Sequence, residues 1–246
     1  MLTLFPSICT LVCIASVCLP SSAQRAPGLL PIGTQVTAHA TFYTGNSNGA
    51  CGADYLPPAG FLGTAISSTL WSDSAACGSC YTVTYGTSTK RIFVTDLCPE
   101  CTWTSAGGAG SSLHQDLWQS AWTTLAAGKN TPSSAGILRG LTWTAVSCEF
   151  PSISIHWKDG SNDYWTAVAP RNHNVPVTKL EVRRTDTAGG VWMTLTLNEP
   201  MAHYANPAGD LPGTLFDMRL TGLTGKVLTL TGVRRGDNTQ TFNVNF

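Results

Sequence analysis

The sequence predicts a secreted, all-β protein of two domains. Three observations carry that prediction: an apolar leader, short β-type runs separated by turn residues along the rest of the chain, and cysteines that all precede Glu149. The leader, MLTLFPSICTLVCIASVCLPSSA, has no charged residue, is apolar from about Ile8 to Leu19, and places small Ser21 and Ala23 before Gln24. This reads as a signal peptide over residues 1–23, cleaved after Ala23. The apolar run falls short of the roughly 20 residues that a membrane anchor needs, and Pro6 and Pro20 bound it.

Cleavage removes Cys9, Cys13 and Cys18 and leaves Cys51, Cys77, Cys80, Cys98, Cys101 and Cys148. Within CGSCYTVTYGTSTKRIFVTDLCPEC two CxxC pairs have the spacing of a zinc ribbon. A four-thiolate zinc site leaves Cys51 and Cys148 unexplained, and neither CxxC opens a helix as a redox motif does. An even set in an exported chain favours three disulfides, with the pairing open. The sequence therefore calls for no metal and no cofactor.

Charge is sparse and balanced, with 11% charged residues, 14 basic against 14 acidic, and neither half departs from neutrality. Binding to nucleic acid or to an anionic membrane surface would need a basic patch, so neither is expected as a partner.

All six remaining cysteines precede Glu149, and the connector CEFPSISIHW contains a Pro but no Gly/Ser run. Two units are expected, residues 24–149 and 150–246, packed in a fixed relation. In the first, VTAHATFYTG, GTAISSTL, CYTVTYG, KRIFVTDL and LTWTAVSCEF read as strands. SSLHQDLWQSAWTTLAAGK differs: Leu113, Leu117, Trp118, Ala121, Trp122 and Leu125 recur at three-to-four spacing, which predicts an amphipathic helix ending near Gly128. In the second unit SISIHWK, KLEVRRT, VWMTLTLN, LFDMRLTG, KVLTLTG and TFNVNF alternate between turns such as KDGS, AGG and GDN, the pattern of a β-sandwich.

ATFYTG, GACG, CGSCY, VTDLCPE and HQD, followed by KDGS, YW and RNHNVPV, occur here in the order seen in microbial expansins. The chain resembles that family over both halves. The resemblance implies a six-stranded double-psi β-barrel, related to family 45 glycoside hydrolases, followed by an immunoglobulin-like, cellulose-binding β-sandwich. It implies a secreted monomer that binds cellulose and associated matrix glycans and loosens walls without cutting the polymer. It also implies the pairs Cys51–Cys77, Cys80–Cys148 and Cys98–Cys101.

The first unit offers six carboxylates: Asp54, Asp73, Asp96, Glu100, Asp116 and Glu149. Glycoside hydrolysis normally needs two, an acid at the leaving oxygen and a base or nucleophile across the sugar. By the resemblance Asp116, at the start of the expected helix, matches the acid. The first strand, where the hydrolases carry the base, offers Thr41, Phe42 and Tyr43 instead. Asp96 matches a second carboxylate near the acid, expected to hold Asp116 in a hydrogen-bonded pair; as residues alone, Asp96 also suits a turn cap and Asp116 a helix-dipole partner.

Cys98 stands where bacterial relatives carry a Tyr, so Tyr43 or Trp103 is expected to supply the stacking face of the groove. His114 matches the His of plant-type HFD motifs and equally suits a packing role. In the second unit Tyr164 and Trp165 match the family's aromatic platform and Lys158 a nearby basic residue. The third platform position falls on Pro200 or Met201, with Tyr204 as a substitute. Trp157 and Trp192 are assigned to cores, and Arg171, Asn172 and His173 to structure. Three functions stay open: non-hydrolytic wall loosening, an endoglucanase or lytic transglycosylase on the same barrel, or a wall-binding module without loosening activity.

Overall fold

In a computed structural model the described residues are 28–45, 48–52, 55–105, 111–186, 190–198, 202–206 and 210–246, with the backbone alone described at 103–105, 111–112 and 198. The leader and its cleavage site therefore lie outside the described residues. Among the described residues no helix is long and apolar enough to cross a membrane.

The first half contains β1 (Gln35–Tyr43), β2 (Leu62–Ser67), α1 (Ser68–Trp71), β3 (Cys80–Tyr85), β4 (Ser88–Cys98), β5 (Trp103–Ser105), β6 (Ser111–Trp118), α2 (Gln119–Ala126) and β7 (Leu138–Val146). Pairing runs β1-β7-β3-β4-β2-β6 and closes through β1–β6, giving a six-stranded barrel with β5 attached to β6. The β1–β6 and β2–β4 pairs are parallel and the other four closing pairs antiparallel. Closure removes the unpaired edges an open sheet would expose. Ile66, Val83, Ile92, Leu113, Leu117, Leu138 and Trp143 fill the interior. The tight β3–β4 turn needs Gly86: its φ is +59°, and a Cβ there would lie 2.3 Å from the carbonyl oxygen of Gly128.

The expected helix is half strand. Residues 111–118 form β6, and only Gln119–Ala126 coil. Leu113, Gln115 and Leu117 point into the barrel, while His114, Asp116 and Trp118 are partly exposed on the opposite face. Leu113 and Leu117 satisfy both a period of four and a period of two, so the strand could pass for the first turns of the helix that follows. In α2 itself Ala121, Trp122 and Leu125 are buried against the barrel, with Trp122 packed on Phe42 at 4.9 Å. Asp116 thus sits on a strand and has no helix dipole to face.

The second half contains β8 (Ile153–Trp157), β9 (Ala167–Arg171), β10 (Val177–Arg184), β11 (Met193–Asn198), β12 (His203–Ala205), β13 (Leu215–Gly222), β14 (Val227–Arg234) and β15 (Thr239–Phe242). Pairing runs β14-β13-β10-β11-β12-β9-β8-β15. β11 pairs with β10 through Met193–Leu195 and with β12 through Thr196–Asn198, joining two layers. Between them, Ile155 and Trp157 of β8 meet Phe216 and Met218 of β13, Trp157 and Phe216 at 5.7 Å. Trp192 is not in this core. It precedes β11 and lies half-buried, with the guanidinium of Arg219 at 4.0 Å and that of Arg183 at 4.9 Å from its ring centre. The alternation that buries Leu195 and packs the partly buried Met193 against the core turns Trp192 to the other face.

The halves are packed together at the connector. The Cys80–Cys148 disulfide ties its start to β3, the Cys148 N–H donates to Asn174, and the Asn174 side chain brackets the backbone of Phe150. Tyr55 of the first half donates its hydroxyl to the Pro170 carbonyl at 3.1 Å, and Arg171 lies over its ring. His173 is buried against Gly78, where a Cβ would approach its Nε2 to 3.1 Å. Burial pushes the His173 imidazole down to about 4.

Candidate functional site

Four neighbouring barrel strands bring one residue each to a common level. Ala65 of β2 pairs with Asp96 of β4 on one side and with Asp116 of β6 on the other, and Asp116 pairs with Thr41 of β1. The row Asp96–Ala65–Asp116–Thr41 crosses four strands where the groove is expected, with only the methyl of Ala65 between the two carboxylates. Asp96 and Asp116 are two strand spacings apart, about 10 Å between backbones.

The expected hydrogen-bonded pair of carboxylates is not formed, because each is engaged elsewhere. Asp116 Oδ1 accepts from the Thr41 hydroxyl at 2.7 Å, and Thr41 Oγ1 lies 3.0 Å from His114 Nε2. With the one Thr41 proton given to an ionised Asp116, the Thr41 oxygen accepts from His114 Nε2–H; when Asp116 carries the proton the chain can run the other way. Asp96 accepts from the backbone N–H groups of Ala50 (2.6 Å) and Leu97 (2.8 Å) and from the Tyr43 hydroxyl (3.3 Å). Burial raises the Asp116 carboxyl above the ordinary range and the Asp96 charge adds to this, against the hydrogen bond from Thr41 and the influence of His114. Burial also lowers His114, whose ring stacks on His39 at 4.5 Å.

Trp118 completes the wall. Its Nε1–H donates to the Tyr43 hydroxyl at 3.0 Å, so indole, phenol and the Asp96 carboxylate form one chain across the groove. The indole lies on Gly63 and Gly45, where added Cβ atoms would come within 2.4 and 2.2 Å of it. Trp118 fits the helical period of its segment as well as the alternation of HQDLW, and only the alternation places it on the face of Asp116.

The six cysteines form Cys51–Cys77, Cys80–Cys148 and Cys98–Cys101, so the two CxxC pairs are disulfide-bonded rather than available to zinc. Cys98 and Cys101 close the loop after β4, where the Cys101 carbonyl accepts from Ser67 Oγ at 2.7 Å and the Ser68 N–H at 2.9 Å. Trp103 lies on β5 beyond this loop, and its side chain is outside the described residues, as are Asp54, Pro200 and Met201. Among the described residues no cluster of His, Cys, Asp and Glu is suited to holding a metal.

The residues expected to form the platform lie in the β8–β9 loop. Tyr164 is 78% exposed and Trp165 40%, and Lys158, at the start of the same loop, is half-buried. Asn162 Oδ1 accepts from the N–H groups of Tyr164 and Trp165, a side-chain-closed turn that presents two adjacent aromatics outward. Tyr204 does not join them. It is 4% exposed and donates its hydroxyl to the Val177 carbonyl at 2.7 Å, so it belongs to the core and offers no face for stacking. Its position on β12 in register with Val168 of β9 turns the ring inward. Arg171 and His173 lie at the junction of the two halves.

No family model matches the chain. It is 31% identical over 201 residues to Expansin-like protein 1 of Dictyostelium discoideum, covering 79% of this chain. The chain spans 65% and 55% of the length of the first two Dictyostelium relatives it matches. A papain inhibitor of Streptomyces mobaraensis matches at 32% identity over 131 residues, 51% of this chain and 81% of that one. Among solved structures, a mutant Clavibacter michiganensis expansin in complex with cellohexaose superimposes with a TM-score of 0.70 at 25% identity, over 86% of this chain and 98% of that one. Sequence, barrel and two-part architecture together place the chain among the expansin-like proteins.

Proposed function

We propose that this protein binds cellulose through Tyr164 and Trp165 and disrupts non-covalent contacts between wall polysaccharides without hydrolysing them. The observation that carries the reading is the row Asp96–Ala65–Asp116–Thr41. Position 41 holds a hydroxyl bonded to Asp116, not an opposing carboxylate, and Asp96 is committed to two backbone N–H groups and a phenol. A carboxyl with a raised pKa can donate to a bridging or hydroxyl oxygen of a glucan, but nothing described across the groove activates water or traps the sugar.

In this reading residues 1–23 direct export, 24–149 form a double-psi barrel and 150–246 an immunoglobulin-like binding sandwich, and the protein acts as a monomer on cellulose and associated matrix glycans. The cellohexaose in the Clavibacter expansin crystal supports the choice of a glucan partner. The test is a creep assay on heat-killed plant walls beside a cellulose pull-down. Extension with retained binding is expected. Binding without extension would support the wall-binding module, and neither would refute the proposal.

A further inference from the structure

We propose that Arg235 is the positioning residue of the aromatic platform, an inference that rests on the reading of Tyr164 and Trp165 as the cellulose-binding face. Arg235 follows β14, far from the β8–β9 loop in sequence, and its side chain is 7% exposed. The guanidinium lies over the core ring of Phe216 at 5.6 Å. From there one terminal nitrogen shares its two N–H groups among the Asn162 carbonyl at 2.8 Å, the Leu211 carbonyl at 2.8 Å and the Thr166 hydroxyl at 3.2 Å. The other donates to the Asp163 carboxylate and the Gly213 carbonyl.

Asn162 and Asp163 precede Tyr164, and Thr166 follows Trp165, so a single planar group holds both feet of the two-residue segment that carries the exposed rings. Leu211 and Gly213 belong to a third segment, which also meets the loop through the Leu211 N–H on the Asp163 carbonyl at 2.8 Å. The Asn162 turn fixes the two aromatic N–H groups locally, and Arg235 fixes that turn to the sandwich core.

Stacking on a glucan needs rings whose planes are set before the sugar arrives, because ordering a loop on binding subtracts from affinity. A planar guanidinium spans acceptors that diverge over three segments; an ammonium is a point donor and cannot. The charge of Arg235 is met by Asp163, so its part in binding is geometric, not a direct attraction for the polymer.

The experiment uses the full chain with Arg235→Lys, Arg235→Met and Arg235→Ala, and reads cellohexaose affinity by tryptophan fluorescence and cellulose affinity by pull-down, both well below the thermal transition. Arg235→Met is expected to weaken binding about tenfold, with Arg235→Lys between it and wild type. Each variant should keep its thermal transition, and the near-ultraviolet signal of Trp165 should change. Guanidinium ion at sub-denaturing concentration should restore part of the affinity of Arg235→Ala, while sodium chloride at equal ionic strength should not. Unchanged affinity in Arg235→Met and Arg235→Lys overturns the inference, as does an affinity loss that appears only with unfolding. Tyr164→Ala with Trp165→Ala is measured alongside: if it binds as wild type does, the platform reading itself fails and takes this inference with it.

Discussion

Acid should weaken this fold through His173, and His173→Gln should remove most of that sensitivity. The imidazole is buried between the halves and protonates in the folded chain only near pH 4, against 6.5 when exposed. Between those values the unfolded chain holds a proton that the folded one does not, so stability falls as pH drops from 6.5 to 4 and is unaffected by this group above 6.5. The difference corresponds to about 3 kcal/mol. For a chain of this size that is about 6–12 °C in Tm. Gln keeps an amide donor and cannot charge. Other groups titrate over the same range, so the quantity to read is the difference between wild type and His173→Gln in calorimetric melts from pH 7.5 to 4. The gap should change in favour of the variant as pH falls. A gap independent of pH would refute the burial argument.

Removing both platform rings, Tyr164→Ala with Trp165→Ala, should reduce cellulose binding by at least tenfold with little change in Tm, since both rings are exposed; pull-downs should vary little with salt, as stacking does not depend on charge. Asp116→Asn should raise Tm at pH 7, because a carboxyl whose pKa is raised by burial costs stability when ionised; the gain should vanish in acid, where both the folded and unfolded carboxyl are protonated, as pH-dependent melts would reveal. Gly63→Ala drives a methyl into the indole of Trp118 and should cost about 1–3 kcal/mol in chemical denaturation. It should also reduce wall extension while leaving cellulose binding through the second half intact.

Strand content was legible because alternation and turn residues recur in both halves. The groove was only partly legible. Asp116, Thr41 and Tyr43 sit together, but β6 was read as a helix because Leu113 and Leu117 fit either period and a true helix follows them. That error hid Trp118 and gave Asp116 a dipole it does not have. The relation between Asp96 and Asp116 depends on Ala65 standing between them, a strand order that no local pattern reveals. Tyr204 and Trp192 both depart from expectation, Tyr204 being buried and Trp192 half-buried outside the core, because aromatic identity alone does not say which face of a strand turns inward. Arg235 carried no local signal, its partners lying 22 to 73 residues away.

The central claim is that the groove holds an acid without a partner for hydrolysis. Its most direct measurement is the release of reducing ends and soluble oligosaccharides from amorphous cellulose by wild type and Asp116→Asn, with wall extension followed in parallel. The account predicts no release above background from either protein, extension by wild type, and loss of extension in Asp116→Asn with cellulose binding retained. Reducing ends generated by wild type and absent from Asp116→Asn would contradict it, making Asp96 the base and the protein a hydrolase.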